Sequence, residues 1–459
     1  MADADHPAAR WLRRMEPGGQ PIYRALVEAL AAAVRAGELQ PGDRLPPQRT
    51  VAELVGVDLT TVTRAYAAAR AQGLIEGTVG RGTFVRAGAS EDEAGLVDLS
   101  MNLPPPPDGL SLGDLLAETT AAILRRTDPQ ALMAYHPAGG ALGQRTAAAA
   151  WLKPLLGEVA PERLLISPGA QTGLAAVLAT VCRPGDVLIV EPLVYPGLLS
   201  AAAALGVRLA VCAAGGLDPD ALGRLAAQTP ARAIYLIPTT QNPTAATLDV
   251  ERRRAIVEIA RAHDLWIIED DPYSRLFDAP PPAVASLAPE RTFHLATLSK
   301  TLSPGLRTAY LLPPPGEIAA RTAETLRAVG LMPAPLMAAV AAAWIREGDA
   351  ERLLAGVRRE ARARRAIAAE ILPQARGAAE GLHVWLDLPP GWPPARLHQA
   401  AQARGLSLVA ADAFAAGPDH PNGLRISLGG PSKRTVLATA LHGVAALLAG
   451  EGPPGRVVV

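Results

Sequence analysis

Phe293-His294-Leu295-Ala296-Thr297-Leu298-Ser299-Lys300-Thr301-Leu302-Ser303-Pro304-Gly305-Leu306-Arg307 is the stretch on which the reading of this chain turns. An apolar run of strand length ends in Ser-Lys, passes a Pro-Gly turn and reaches an arginine. The chain has only three lysines, Lys153, Lys300 and Lys433. Lysine at the end of a buried strand is costly because its charge resists desolvation. The placement asks for chemistry, and an amine acting as a nucleophile beside an anion supplies it. A carbonyl-bearing, phosphorylated cofactor is a ligand with both features.

Around this stretch, short apolar runs alternate with longer helical ones, as in an α/β unit with a mostly parallel sheet. Expected strands are residues 187–190, 233–237, 266–269 and 293–298, then 384–388 and 424–428 after a long helical stretch. Polar residues cluster at their ends, where open sheets collect ligands. Ser167-Pro168-Gly169-Ala170-Gln171-Thr172-Gly173 introduces a helix and can hold phosphate on its N–H groups, or be a plain helix start. Ile237-Pro238-Thr239-Thr240-Gln241-Asn242-Pro243-Thr244 places an amide in a proline-stiffened loop, or is an Asn-Pro turn. Ile267-Ile268-Glu269-Asp270-Asp271-Pro272-Tyr273 delivers a carboxylate and, three residues on, a phenol. Its acids could bind a metal, but no histidine pair at ligand spacing accompanies them, and no metal is expected. In the order amide, acid plus tyrosine, lysine, arginine, these loops suit a pyridine aldehyde held by Lys300.

The first 86 residues read differently. Apolar residues recur at helical spacing at Ile22, Leu26, Leu30 and Ala33, a short helix is expected over 50–55, and Leu59 to Gln72 reads as a third helix with Val62, Tyr66 and Ala69 inward. Two strand-like pieces around a glycine-rich tip follow, from Leu74 to Val85. Three helices and a wing make a DNA-binding candidate, with Thr60, Thr61 and Arg64 near base edges or phosphates and Arg49 and Arg81 on phosphates or in the minor groove. A small helical cap with solvated arginines is the plainer alternative.

The chain has 459 residues, a formal net charge of zero, 49% apolar and 19% charged residues. This suits a globular protein of two or three domains with no global pull on nucleic acid, so DNA contact must be local. Cys182 and Cys212 lie in or near apolar strand-like runs and read as buried thiols rather than a disulfide, making the reducing cytoplasm the expected compartment. No secretion signal or membrane span is read, and no membrane partner is expected. A small, acidic run near residues 87–97 is the expected linker, dividing a winged domain at 1–86 from a large domain at 98–459, with Pro104 to Pro107 as a rigid spacer.

Two resemblances sharpen this reading. "LQPGDRLPPQRTVAELVGVDLTTVTRAYAAARAQGLIEGTVGRGTFV" resembles the winged helix-turn-helix domain of the GntR family of bacterial regulators, although Asp58-Leu59 stands where that family usually has an arginine. "SPGAQTG", "PTTQNPT", "IIEDDPYS", "LSKTLSPGLR" and "LRISLG" resemble fold-type-I aminotransferases dependent on pyridoxal 5'-phosphate (PLP) over about residues 98 to 450, with Thr244-Ala245-Ala246 replacing the commoner Thr-Gly. Together the halves resemble the MocR subgroup of GntR regulators. The fold class implied is α/β: a winged helix-turn-helix, a large aminotransferase-like domain and a smaller C-terminal α/β subdomain.

The resemblance implies an internal aldimine at Lys300, Asp270 on the ring nitrogen, and Asn242 and Tyr273 on the ring oxygen. Tyr195 would lie over the ring, or be an ordinary buried aromatic. Phosphate would fall to Arg307, Ser299, Thr297 and the Ala170-Gln171 turn. Arg425 would hold an effector or substrate carboxylate. Tyr135 would reach the neighbouring subunit's cofactor in a homodimer. The implied function is a PLP-binding regulator of double-stranded DNA that senses PLP or an amino-acid-like effector, with little or no turnover. The alternative is an active aminotransferase carrying an accessory winged domain.

Overall fold

The computed structural model describes residues 7–15, 21–36, 38–40, 42–71, 74–78, 82–85, 96–136, 139–212, 216–388 and 392–450. The chain divides into two compact units, Met1–Gly95 and Leu96–Val459.

In the first unit, Leu26, Leu30 and Ala33 form the inward stripe of helix Ile22–Arg35, while Ile22 itself is exposed at the helix start. Helix Gln48–Val55 stops at Gly56, whose φ of 73° is the left-handed conformation that closes a helix. Helix Leu59–Ala71 contributes Val62, Tyr66 and Ala69 to the core, and the Tyr66 hydroxyl donates to Pro46 O at 2.8 Å. Ile75–Thr78 and Gly82–Val85 pair antiparallel, Ile75 and Val85 pointing inward. Trp11, on the 3-10 helix Pro7–Arg14, is buried in the same core. The sequence reading began at Ile22 and missed that element.

The second unit is built on seven strands in the order Leu165–Ser167, Ala309–Leu312, Thr292–Thr297, Trp266–Asp271, Ala231–Leu236, Val187–Val190, Arg208–Val211. The last five are mutually parallel, and Ala309–Leu312 runs antiparallel to both neighbours. Val187–Val190 is buried along its whole length because helices cover both faces. Leu188, Val190, Tyr235 and Ile268 face helix Ala170–Val181, whereas Ile189, Ile234 and Ile267 face helices Pro219–Gln228 and Val250–Ala262. Leu165–Ser167, Arg208–Val211 and Ala309–Leu312 were not expected as strands. They have three or four residues each, and Leu165–Ser167 and Ala309–Leu312 run straight into the turns at Ser167 and Arg307.

A smaller subdomain closes the unit. Its antiparallel sheet runs His383–Asp387, Gly423–Ser427, Val409–Ala410. Leu386, Leu424 and Ile426 pack there with Leu437 and Leu441 of helix Arg434–Leu448. Val97–Asp98 pairs in parallel with Leu406–Ser407, and Leu99 enters this core. Residue 97, expected to end the linker, is therefore part of the fold, because its backbone has a partner strand. Cys182 and Cys212 are free and buried. Among the described residues no helix is long and apolar enough to cross a membrane.

Candidate functional site

Strand Thr292–Thr297 is buried throughout and ends just before Lys300, so the lysine emerges at the carboxyl edge of the parallel sheet. The neighbouring strands deliver Asp270 and Asn242 to the same edge. Lys300 is half-buried and donates from Nζ to Asn102 O. Burial, with the nearby Arg425 guanidinium, pulls its ammonium down to about 8, Asp270 opposing. A substantial neutral fraction is the condition for a lysine nucleophile.

Asp270 is buried and accepts from the Tyr235 hydroxyl at 2.8 Å. Burial lifts its carboxyl to about 6, that hydrogen bond opposing. Its strand neighbours Glu269 and Asp271 turn to the other face, where Glu269 accepts from Val284 N and Ala285 N at 2.8 Å each and meets His294 Nδ1 at 3.1 Å. Burial opposes ionisation of Glu269, but His294 and the two amides outweigh it and hold its pKa below the usual value. This satisfied network fixes the strand end that carries Asp270.

Tyr273 accepts from Asn102 Nδ2 at 2.8 Å, which leaves its own hydroxyl hydrogen free to donate. Asn242 Oδ1 accepts from Arg425 Nη1 at 2.8 Å, so its Nδ2 hydrogens face onward. Arg425 also donates from Nη2 to Ser100 O, and its guanidinium lies 4.8 Å from the Phe414 ring centroid. Its Nε is buried without an acceptor. Burial and Arg425 push His383 down to about 3, so it is neutral at pH 7. Its Nε2 meets Gln241 O at 3.1 Å and its Nδ1 meets Asn102 Nδ2 at 3.0 Å, which assigns the hydrogen to Nε2.

The anion side of the site is built on helix Ala170–Val181, whose first-turn N–H groups have no intrahelical acceptor. Gly169 precedes it with φ 89°, and a Cβ there would stand 2.4 Å from Arg307 Nη2. Only glycine lets that guanidinium lie over the helix terminus, where it donates to Pro168 O at 3.3 Å. Thr297 Oγ1 donates to Ser299 Oγ at 3.0 Å. Gln171 Nε2 donates to Gly197 O at 2.8 Å, and its Oε1 is buried without a partner. Gly197 also admits the Tyr195 ring, which a Cβ would meet at 2.3 Å. A phosphorylated pyridine aldehyde fits these groups: helix N–H groups and Arg307 for phosphate, the Asp270 carboxylate for a protonated ring nitrogen, and Tyr273 and Asn242 hydrogens for a ring oxygen, which leaves the unpaired Arg425 Nε for the carboxylate of a separate ligand.

Tyr135 stands apart, 84% exposed and outside this hydrogen-bonded set. Tyr235, Asn102 and His383 were not anticipated. Tyr235 was hidden inside an apolar strand, and Asn102 sat before a proline run that reads as a spacer. Among the described residues no group of three or more His, Cys, Asp or Glu side chains could hold a metal ion.

In the first unit, Arg49 and Arg64 are exposed, and the Arg64 guanidinium lies 4.1 Å from the Tyr23 ring centroid. Asp58 caps helix Leu59–Ala71, accepting from Thr61 N at 2.9 Å, from Thr61 Oγ1 at 2.8 Å and from the Thr60 hydroxyl. Those three bonds hold its carboxyl down to about 2. The hydroxyl hydrogens of Thr60 and Thr61 are thus committed to Asp58, leaving lone pairs and methyls for any nucleic acid. Thr63, unremarked in the sequence, donates to Gln48 Oε1 at 2.8 Å and ties the two helices together. Arg44 lies against Gly82 of the wing. Arg81 falls outside the described residues.

Residues 22–85 match the family model "Bacterial regulatory proteins, gntR family" and residues 94–441 match "Aminotransferase class I and II". The uncharacterized HTH-type transcriptional regulator YdeF of Bacillus subtilis is 30% identical over 434 residues, covering 92% of this chain and 93% of that protein. The chain belongs to the GntR regulators of MocR type. Another relative of this MocR-type chain, the HTH-type pyridoxine biosynthesis transcriptional regulator PdxR of Corynebacterium glutamicum, is 30% identical, covering 94% of this chain and 96% of its own length. The chain also resembles the solved structure of LysN, the alpha-aminoadipate aminotransferase of Thermus thermophilus, with a TM-score of 0.71, 26% identity and coverage of 84% of this chain and 98% of that one. By architecture and descent, this MocR-type chain is a DNA-binding regulator with an aminotransferase-like domain.

Proposed function

We propose that the chain binds PLP at Lys300 and regulates transcription according to whether PLP or an amino-acid-like effector occupies that site. The observation that supports this reading is the presence in one chain of a winged unit and of a site that gathers Lys300, Asp270, Tyr273, Asn242 and Arg425. When bound, the cofactor supplies an aldehyde for amines and a ring that withdraws electrons. Lys300 offers the amine that condenses with it. Asp270, held by Tyr235, keeps a proton at the ring nitrogen. Arg307, Ser299, Thr297 and the first turn at Ala170 and Gln171 bind the phosphate, and Tyr195 covers the ring. Arg425 orients a ligand carboxylate through Nε.

Homodimerisation belongs to the same proposal. Tyr135, Met133, Leu142 and Leu331 are large apolar or aromatic side chains that a lone chain leaves in water. A second copy would cover them and give Tyr135 a phosphate to reach. DNA contact is assigned to Arg49, Arg64 and Arg81, with Thr60 and Thr61 accepting from base donors and Arg44 added beside the wing. With no membrane segment needed by any part, the cytoplasm is the proposed compartment.

Borohydride reduction of PLP-loaded protein followed by peptide mapping tests the cofactor site: label belongs on Lys300, and label on Lys153 or Lys433 refutes it. Selection of DNA sites from random sequence by the full chain tests the regulator. Absence of an enriched site, together with rapid multiple turnover on a keto acid, would favour the aminotransferase alternative.

A further inference from the structure

The segment that begins the second unit at Leu96 runs into the lysine site. Leu99 N donates to Ser407 O at 3.0 Å, and Leu99 O accepts from Ser427 N at 2.9 Å. Asp98 Oδ1 then accepts from Ser100 N at 2.6 Å and Met101 N at 3.3 Å, turning the chain. The turn presents two main-chain carbonyls to the site: Ser100 O accepts from Arg425 Nη2, and Asn102 O accepts from Lys300 Nζ. The Asn102 side chain, only 5% exposed, is a third anchor. Its Nδ2 spends both hydrogens on Tyr273 and His383, while its Oδ1 is buried without a partner.

We propose that residues 99–103 are the element through which occupancy of the Lys300–Arg425 site reaches the interdomain linker, because their carbonyls share donors with the ligands of that site. The proposal rests on the reading of Lys300 as the cofactor lysine. Condensation of the lysine with an aldehyde forms a carbon–nitrogen double bond and expels the aldehyde oxygen as water, which carries off two of the three ammonium hydrogens. The single hydrogen left on nitrogen is fixed in the plane of the new double bond, so Asn102 O loses its donor. A ligand carboxylate that takes the unpaired Arg425 Nε forks side-on to Nη2, the nitrogen that holds Ser100 O, and as the stronger acceptor it competes with that carbonyl for the donor. An amine that replaces Lys300 at the aldehyde carbon returns Nζ to a primary amine, and Asn102 O regains it. The two carbonyls therefore distinguish no ligand, cofactor alone, and cofactor with an amino acid. Each condition changes the tethering of the segment that begins the second unit at Leu96.

Hydrogen exchange of the full chain, read by mass spectrometry on peptides spanning residues 97–103, tests this without an activity assay. PLP should accelerate exchange there by about five-fold. Pyridoxamine phosphate has the same ring and phosphate but no aldehyde, and should leave exchange unchanged. Lys300→Ala, which keeps Arg307 and the helix terminus for phosphate, should bind PLP with no acceleration. Equal acceleration by pyridoxamine phosphate, or unchanged exchange in unreduced PLP-loaded protein of which a parallel sample takes the borohydride label on Lys300, overturns the proposal and leaves the cofactor reading standing. Absence of label on Lys300 overturns both. In Asn102→Ala the PLP-dependent difference in affinity for a selected DNA site should shrink about five-fold; an undiminished difference also counts against the proposal.

Discussion

Replacing Lys300 by methionine should make the cofactor-free protein more stable at pH 7, and by an amount that depends on pH. Burial, with Arg425, moves the lysine from 10.5 to about 8. At about 1.4 kcal/mol per pH unit, this corresponds to about 3 kcal/mol of destabilisation wherever the amine is charged in both folded and unfolded chains. Methionine has similar length, flexibility and no charge. It forfeits the bond to Asn102 O, which returns about 1 kcal/mol, so the net gain near pH 7 is about 2 kcal/mol. The sign follows from proton counting. Between about 8 and 10.5 the unfolded lysine holds a proton that the folded one has released, so wild-type stability rises with pH across that window. The advantage of Lys300→Met should accordingly shrink by about 2 kcal/mol between pH 7 and pH 9.5. Urea unfolding followed by tryptophan fluorescence reads this, since Trp151, Trp344 and Trp385 are buried in the second unit. An advantage that does not vary with pH, or a variant less stable at every pH, would refute the assignment of a charge-strained lysine.

The same lysine predicts that the rate of PLP attachment rises with pH and reaches half its plateau near pH 8, measured by stopped-flow absorbance. Ala245 is buried at φ 57°, a left-handed conformation that a Cβ disfavours; Ala245→Gly should stabilise the second unit by about 0.5–1 kcal/mol in a denaturant titration. Gly169→Ala places a methyl on the Arg307 guanidinium and should lower PLP retention on dialysis about ten-fold, with a smaller effect on pyridoxal lacking phosphate. Asp58→Ala removes the helix cap and should lower the first unit's thermal midpoint by calorimetry; the wild-type advantage, present above the ordinary carboxylate value, should fade as pH falls through about 2.

What the sequence disclosed is what leaves a periodic or chemical mark. Fully apolar strands such as Val187–Val190 and Thr292–Thr297 stand out because both faces of a parallel sheet are covered, and the groups at their ends stand out because charge there is expensive. Leu165–Ser167 and Ala309–Leu312 were passed over although they are buried and largely apolar too, because each abuts a loop read for its own chemistry, the Ser167 turn and the Arg307 turn. Asn102 was illegible for another reason. Its partners Tyr273, Lys300 and His383 lie 171, 198 and 281 residues away, and no local pattern records contacts of that range. Thr60 and Thr61 show the converse, because a residue type suited to DNA also suits a helix cap, and only the geometry of Asp58 reveals where the hydroxyl hydrogens go.

The electrostatics also explain how a site of enzyme type can act as a sensor. Arg425 is buried, its guanidinium already divided between Asn242 and Ser100, and its Nε unpaired. A carboxylate arriving at Nε completes a costly buried charge, and its second oxygen, forking onto Nη2, competes with Ser100 O for that donor. Lys300 faces the same exchange between an aldehyde carbon and Asn102. A ligand shifts an equilibrium only by its differential affinity for two arrangements. Here the difference has a local source: the donors a ligand recruits are those that tether residues 99–103, so ligand affinity and the freedom of that segment must change together.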